Sequence, residues 1–234
     1  MKKWALRLVL IAVIGLGLAY GGILLWTEVI NPPEDKLSSD DLAQVLDETT
    51  SIAPVDTEPV DSSSIVPPDS DVTGNWVVAD GSTLGYRVKE VLGGVDTEGV
   101  GRTNKVTGAI SIEGTTLTAA EFTVDVASIE SDSSRRDEQF RGRIMDTASH
   151  PLATFVLGAP AELGSIPREG EQIDVEVSGD LTLRGTTRPV AFVLTAEYSN
   201  GRIGVFGNIP IVFTDYGIPN PSNPFVRTGD DVLL

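Results

Sequence analysis

The residues able to do covalent chemistry are few. The chain of 234 residues has no cysteine and one histidine, His150. Thiol nucleophiles, disulfides, Cys-ligated metals and His-rich metal sites are thereby excluded. A Ser-His-Asp relay would have to be built on His150, and Pro151 restricts that residue to extended backbone. We therefore expect a strand-entry or loop residue there and not a base. No Gly-x-Ser-x-Gly elbow is present. Gly99-Val100-Gly101 lacks the third glycine and the following helix of a dinucleotide fingerprint, so it reads as loop. The acid pairs Asp137-Glu138 and Asp230-Asp231 read as caps and solvated faces. The sharpest polar pair is Arg136-Asp137, which fits either a salt bridge and cap that fix a helix or a contact to a ligand head group. A formal charge of −17 argues against nucleic acid, whose phosphates need clustered Lys and Arg. No catalytic residue, metal site or cofactor is expected.

What remains is apolar chemistry, and strands must position it. From Ile173 to Leu183, apolar Ile173, Val175, Val177, Leu181 and Leu183 alternate with Asp174, Glu176, Ser178, Asp180 and Thr182. A period of two marks a strand with one dry face and one wet face. Gly179 suggests a bend or bulge. Gly185 supplies the positive φ of a tight turn, and Pro189 fits the start of the returning strand, which runs nearly apolar from Val190 to Ala196. Further runs lie at Trp76–Ala79, Ser82–Val91, Lys105–Glu113, Ala119–Ile129, Ala153–Leu157 and Arg202–Thr214. About eight strands with almost no helical periodicity predict an all-β antiparallel sandwich or closed barrel over residues 73–234. One segment breaks the pattern. Ser133 to Phe140 has a hydroxyl and an acid at capping-box spacing, which predicts a short helix from about Ser134 to Arg141 that turns Phe140 inward, supported by Ile144 or Met145.

The N-terminal third differs. Lys2, Lys3 and Arg7 precede an uncharged run from Leu8 to Thr27, about the 20 residues that a membrane-crossing helix needs. Trp4 and Trp26 bracket the run, and the basic flank places the N-terminus in the cytoplasm and the remainder outside. We therefore expect residues 1–30 to be a single-pass anchor in the cell membrane. A cleaved signal peptide with Ala19-Tyr20-Gly21 as its processing site is the competing reading. Residues 31–72 are rich in acids, prolines and serines, with Lys36 the sole basic residue and no aromatics. Such a segment is expected to be a disordered tether. Within it, Asp40–Asp47 can form a short helix capped by Ser39, with Leu42, Val45 and Leu46 on one side. It reads as a transient turn in a spacer or as a docking motif for a partner.

Three segments resemble the YceI-like family, whose fold is a lipocalin-like barrel and whose members bind polyisoprenoids. The first runs Ala127-Ser128-Ile129-Glu130, then Arg136-Asp137-Glu138-Gln139-Phe140-Arg141, then His150-Pro151-Leu152-Ala153-Thr154-Phe155. The second is Val177 to Val190, across the hairpin. The third is Phe213-Thr214-Asp215-Tyr216-Gly217-Ile218 with Gly229-Asp230-Asp231-Val232. Two positions depart from the family pattern: Asp80-Gly81-Ser82 stands where many members carry a His, and Phe213 where many carry an Arg.

The resemblance implies an eight-stranded antiparallel lipocalin-like barrel whose lumen holds a polyisoprenoid lipid, an isoprenoid quinone or a polyprenyl phosphate. The candidate lumen residues are Tyr86 and Val88, Ile110 and Ile112, and Phe122, Val124 and Val126. Phe140, Phe155, Val175, Val177, Leu181, Leu183, Phe192 and Leu194 complete the set, with Phe206 a further member of the large apolar group. Arg136 and Asp137 are the head-group candidates. A homodimer is left open. The alternatives are a filled barrel acting as an envelope interaction module and, least favoured, an enzyme using the lumen.

Overall fold

The structure is a computed structural model that describes residues 35–48, 72–224 and 226–234. The expected anchor at residues 1–30 and much of the expected tether lie outside the described residues. Among those described, no helix is long and apolar enough to cross a membrane. Helix α1 (Asp40–Glu48) precedes the strands β1 (Gly74–Val77), β2 (Leu84–Leu92), β3 (Val95–Thr103), β4 (Val106–Glu113), β5 (Thr116–Asp125) and β6 (Glu130–Ser131). Helix α2 (Ser134–Gln139) then leads through a π-helical turn (Phe140–Ile144) to β7 (Leu152–Leu157), β8 (Ala161–Glu162), β9 (Gln172–Leu183) and β10 (Thr186–Ser199). The chain closes with β11 (Arg202–Gly207), β12 (Pro210–Val212) and β13 (Val226–Leu233).

The β9–β10 hairpin is the spine. It pairs without interruption from Leu183↔Thr186 to Gln172↔Glu197. Along β9, Val175, Val177, Leu181 and Leu183 are buried while Asp174, Glu176, Ser178 and Asp180 are exposed. The turn places Arg184 at φ 47° and Gly185 at φ 74°, the doubly positive pattern whose twist suits a two-residue hairpin. Two details differ from expectation. Gly179 is no bulge, since it keeps its register opposite Val190. It faces inward, and a Cβ there would lie 2.6 Å from Cζ of Phe155 and 2.3 Å from the Val156 carbonyl oxygen. The glycine makes room for a ring. Pro189 lies inside β10, not at its start. β11 pairs β10 only from Leu194 to Ser199, so Pro189 sits where β10 has a strand on one side alone and its missing N–H breaks no second ladder.

The expected single eight-stranded barrel is corrected to two antiparallel sheets. One runs β1-β4-β5-β7-β9-β10-β11 with β8 added to β5; the other runs β12-β13-β2-β3-β6. The first sheet is curled into a half-barrel and the second covers its interior. The run expected as one strand over Arg202–Thr214 breaks because the chain changes sheet. After Gly207 it leaves β10, and Ile209 exchanges backbone hydrogen bonds with Leu234 at 3.0 and 3.1 Å. β12 then pairs with β13. The glycine-rich stretch expected as loop is β3, which pairs with β2 along its whole length. Gly101 is there for space: a Cβ would fall 2.4 Å from the Tyr86 ring.

The interior holds two apolar clusters. One gathers Val88, Phe140, Phe155, Leu181 and Phe213 near α2; the other gathers Val72, Ile112, Leu117, Val175 and Val177. Phe122 and Phe192 pack against both and are themselves only partly buried. Val72 belongs to this core at 2 % exposure, and its carbonyl accepts from the Trp76 indole at 2.9 Å.

The short helix expected within the tether is present. Asp40–Glu48 is helical and lies against β10 and β11 with Leu42 and Leu46 buried. At its start Asp41 Oδ2 reaches back to accept from the Ser38 backbone N–H at 2.7 Å and the Ser38 hydroxyl at 3.2 Å. Burying one leucine stripe on a preformed sheet supplies what the composition alone does not.

Candidate functional site

The pleat aims one row of side chains inward from each strand. Register places Phe122 opposite Phe155, Phe155 opposite Leu181, and Val177 opposite Phe192. Paired residues share a face, so these form continuous apolar rows around the curl. They do not close on one another. Phe122, Val124, Phe192, Ile110 and Leu194 point inward, yet each keeps some accessible surface. The space they face is a cavity of about 1960 Å³, beyond the roughly 300–1,000 Å³ of ordinary small-molecule sites.

All fifteen candidate lumen residues line this cavity. Tyr86 and Phe140 stack there with ring centroids 5.0 Å apart and 15° between planes, and Phe155 meets Phe192 edge-on at 5.5 Å and 71°. Phe206 borders the cavity as well, but from the other face of its sheet. It pairs with Thr195, on the face of β10 opposite to Leu194, and Thr195 donates to Asp174 on that outer face at 2.8 Å. Sequence reasoning missed other wall residues: Trp76, Tyr198, Ile203 and Phe213. Trp76 and Tyr198 meet edge-on at 6.3 Å. Their signal was present in the short period-two runs at either end of the barrel sequence.

The polar candidates are engaged in holding the helix. Asp137 is buried; its Oδ1 accepts from the Ser131 N–H at 2.9 Å and the Ser131 hydroxyl at 2.6 Å. The expected hydroxyl cap does not form, since the Ser133 side chain makes no capping bond. Arg136 pairs with Asp132 and, at 3.5 Å, with Glu90. Asp137 does not line the cavity; Arg136 does, with its neighbours Arg135 and Arg143. Arg143 donates to the carbonyls of Asn220 and Pro221 at 3.4 and 3.3 Å.

Burial pushes the Tyr86 hydroxyl up to about 12, with Arg136 opposing the rise and Asp137 and Glu90 adding to it. Burial also raises the Glu90 carboxyl, and Arg136 again opposes. His150 sits beside the hairpin turn, where a Cβ on Gly185 would lie 2.7 Å from its ring, and its N–H donates to the Asp146 carbonyl at 2.9 Å. Among the described residues, no group of three or more His, Asp or Glu could hold a metal ion.

A curled antiparallel sheet with an apolar interior, a second sheet across it and a short helix beside it defines a lipocalin-like fold. The YceI-like domain family model matches residues 76–234, and the chain belongs to the YceI-like family. Among curated relatives, a UPF0312 protein of Shewanella sp. strain MR-4 is 31 % identical over 134 residues, covering 53 % of this chain and 66 % of that protein. A UPF0312 protein of Vibrio cholerae is 30 % identical over 129 residues, covering 50 % and 64 %. The chain thus spans just under two thirds of the length of these relatives. Among solved structures, a polyisoprenoid binding domain from Saccharophagus degradans, implicated in plant cell wall breakdown, matches with a TM-score of 0.54 and 19 % identity, over 68 % of this chain and 92 % of that one. The fold is shared with it.

Proposed function

We propose that the protein is a membrane-anchored, extracytoplasmic carrier that holds a polyisoprenoid lipid, an isoprenoid quinone or a polyprenyl phosphate, in the barrel interior. The observation that carries this reading is the cavity: about 1960 Å³, with Phe122, Phe192 and Leu194 turned into it and left partly uncovered. A wall of this kind binds by area. Each methylene removed from water contributes about 0.8 kcal/mol, so a tail of many isoprene units needs few polar contacts. Arg135 and Arg143, not the buried Asp137, are the groups at the cavity that suit a polar head. The filled-barrel interaction module is disfavoured by the same open interior.

Native mass spectrometry of protein purified from its own membranes tests the proposal. The expected spectrum shows a species heavier by one prenyl lipid, with the same lipid recovered by solvent extraction. A barrel that comes out empty in repeated preparations would remove the carrier role.

A further inference from the structure

The segment that precedes the barrel is also part of its wall. Residues 35–48 cross from one sheet to the other. At one end, the Asp35 carbonyl accepts from Arg87 Nη2 at 3.0 Å and from Arg102, and Lys36 pairs with Glu98 at 3.5 Å, all on β2 and β3. At the other end, Gln172 Nε2 donates to the Ser39 carbonyl at 3.0 Å and to Glu197 at 2.9 Å, on β9 and β10. Beyond it, Leu42 and Leu46 close over Gly204 of β11, where a Cβ would lie 3.2 Å from each side chain. Glu197 is 4 % exposed although it shares the face of Gln172, opposite to that of Ala196 and Ile173. Leu37, Leu42, Val45 and Leu46 line the same cavity as Phe192 and Trp76.

We propose that residues 35–48 form a strap that gates the lipid cavity: closed, it walls the interior; released, it opens the side between β11 and β2–β3 for loading and discharge. This rests on the lipid-carrier reading for its cargo, though not for its motion. The fastening is suited to opening. A nine-residue helix is too short to persist without its dock; among its described side chains Leu42 and Leu46 are the buried pair, and the ties at Asp35, Lys36 and the Ser39 carbonyl are exposed contacts that water competes for. Release therefore needs no disruption of either sheet.

The chain lacks cysteine, so a reversible lock can be built. Leu46→Cys with Gly204→Cys suits a disulfide, since a Cβ on Gly204 lies 3.4 Å from Cγ of Leu46. Trp4→Phe and Trp26→Phe leave Trp76 as the single tryptophan in the full-length chain. Menaquinone-4, an isoprenoid quinone, quenches Trp76 when bound and reports uptake and release; acrylamide reports access to Trp76 without any lipid. Oxidation is expected to slow menaquinone-4 exchange at least tenfold and to lower acrylamide quenching, with dithiothreitol restoring both. Leu42→Asp with Leu46→Asp should act oppositely and speed exchange, which keeps the test available if the disulfide fails to form. Binding with equal exchange rates in locked, reduced and Asp variants overturns the strap. If menaquinone-4 never binds but acrylamide access still follows the lock, the strap stands and the lipid reading falls.

Discussion

At the scale of single residues, Tyr86 and Gly179 show how side-chain size and charge are managed around an open interior. Tyr86 lies flat on Phe140 with its hydroxyl pushed up to about 12. A phenol that holds its proton more tightly in the folded state than in the unfolded chain makes the fold bind more protons between about pH 10 and 12. Stability is then fully present below pH 10 and falls as pH rises toward 12. Tyr86→Phe keeps the ring stack and should flatten this alkaline loss, measured as melting temperature against pH. Gly179 tests the opposite limit. Gly179→Ala forces a methyl against Phe155 and the Val156 carbonyl, and overpacking of this kind costs about 1–3 kcal/mol. Urea unfolding should show the loss, and a second change, Phe155→Leu, should recover part of it.

At the scale of elements, the β9–β10 hairpin and α2 do different work. Its first strand, β9, presents six inward positions over twelve residues, and the hairpin turns on Arg184-Gly185. Gly185→Ala puts a Cβ on a left-handed residue and against His150. It should cost about 1–2 kcal/mol, read by denaturant midpoint, without altering the cavity. Much of this element was legible beforehand, because alternation, turn and length all lie within one short stretch of chain. α2 was legible in place and inward residue but not in its fastening. Capping-box spacing pointed to a serine hydroxyl, whereas Asp137 instead reaches back to Ser131, in β6, and Arg136 reaches across to Glu90 on β2. Those contacts depend on where β2 and β6 come to lie.

At the scale of the whole molecule, the proposed carrier role turns on the cavity and on the N-terminal region. Val124→Phe places a ring among the inward residues of β5 without adding a second tryptophan, and should abolish menaquinone-4 quenching of Trp76 while leaving the melting temperature within a few degrees. Removal of residues 1–30 tests the anchor. The shortened chain should bind menaquinone-4 in detergent as the full chain does, yet remain in the soluble fraction when cells are broken, while the full chain sediments with membranes.

The fifteen inward candidates all meet at one cavity; thirteen follow from the period of two in their own strands, a property of neighbours in sequence, while Val126 and Phe140 lie in helical turns. Family membership was likewise readable in the hairpin and the Arg-Asp segment. Partition into two sheets was not, because β2 to β13 and β1 to β4 are pairings between distant stretches that no local pattern encodes. Nor was the role of Gly101 and Gly179, whose reason is a ring arriving from another strand. The acidic segment around Leu42 and Leu46 shows the same division: composition alone favours a free tether, and only a finished sheet, with Gly204 at its edge, offers the two leucines somewhere to go. Which way each side chain points is set by the chain's own alternation; how much room is left between the faces is set by how the two sheets meet.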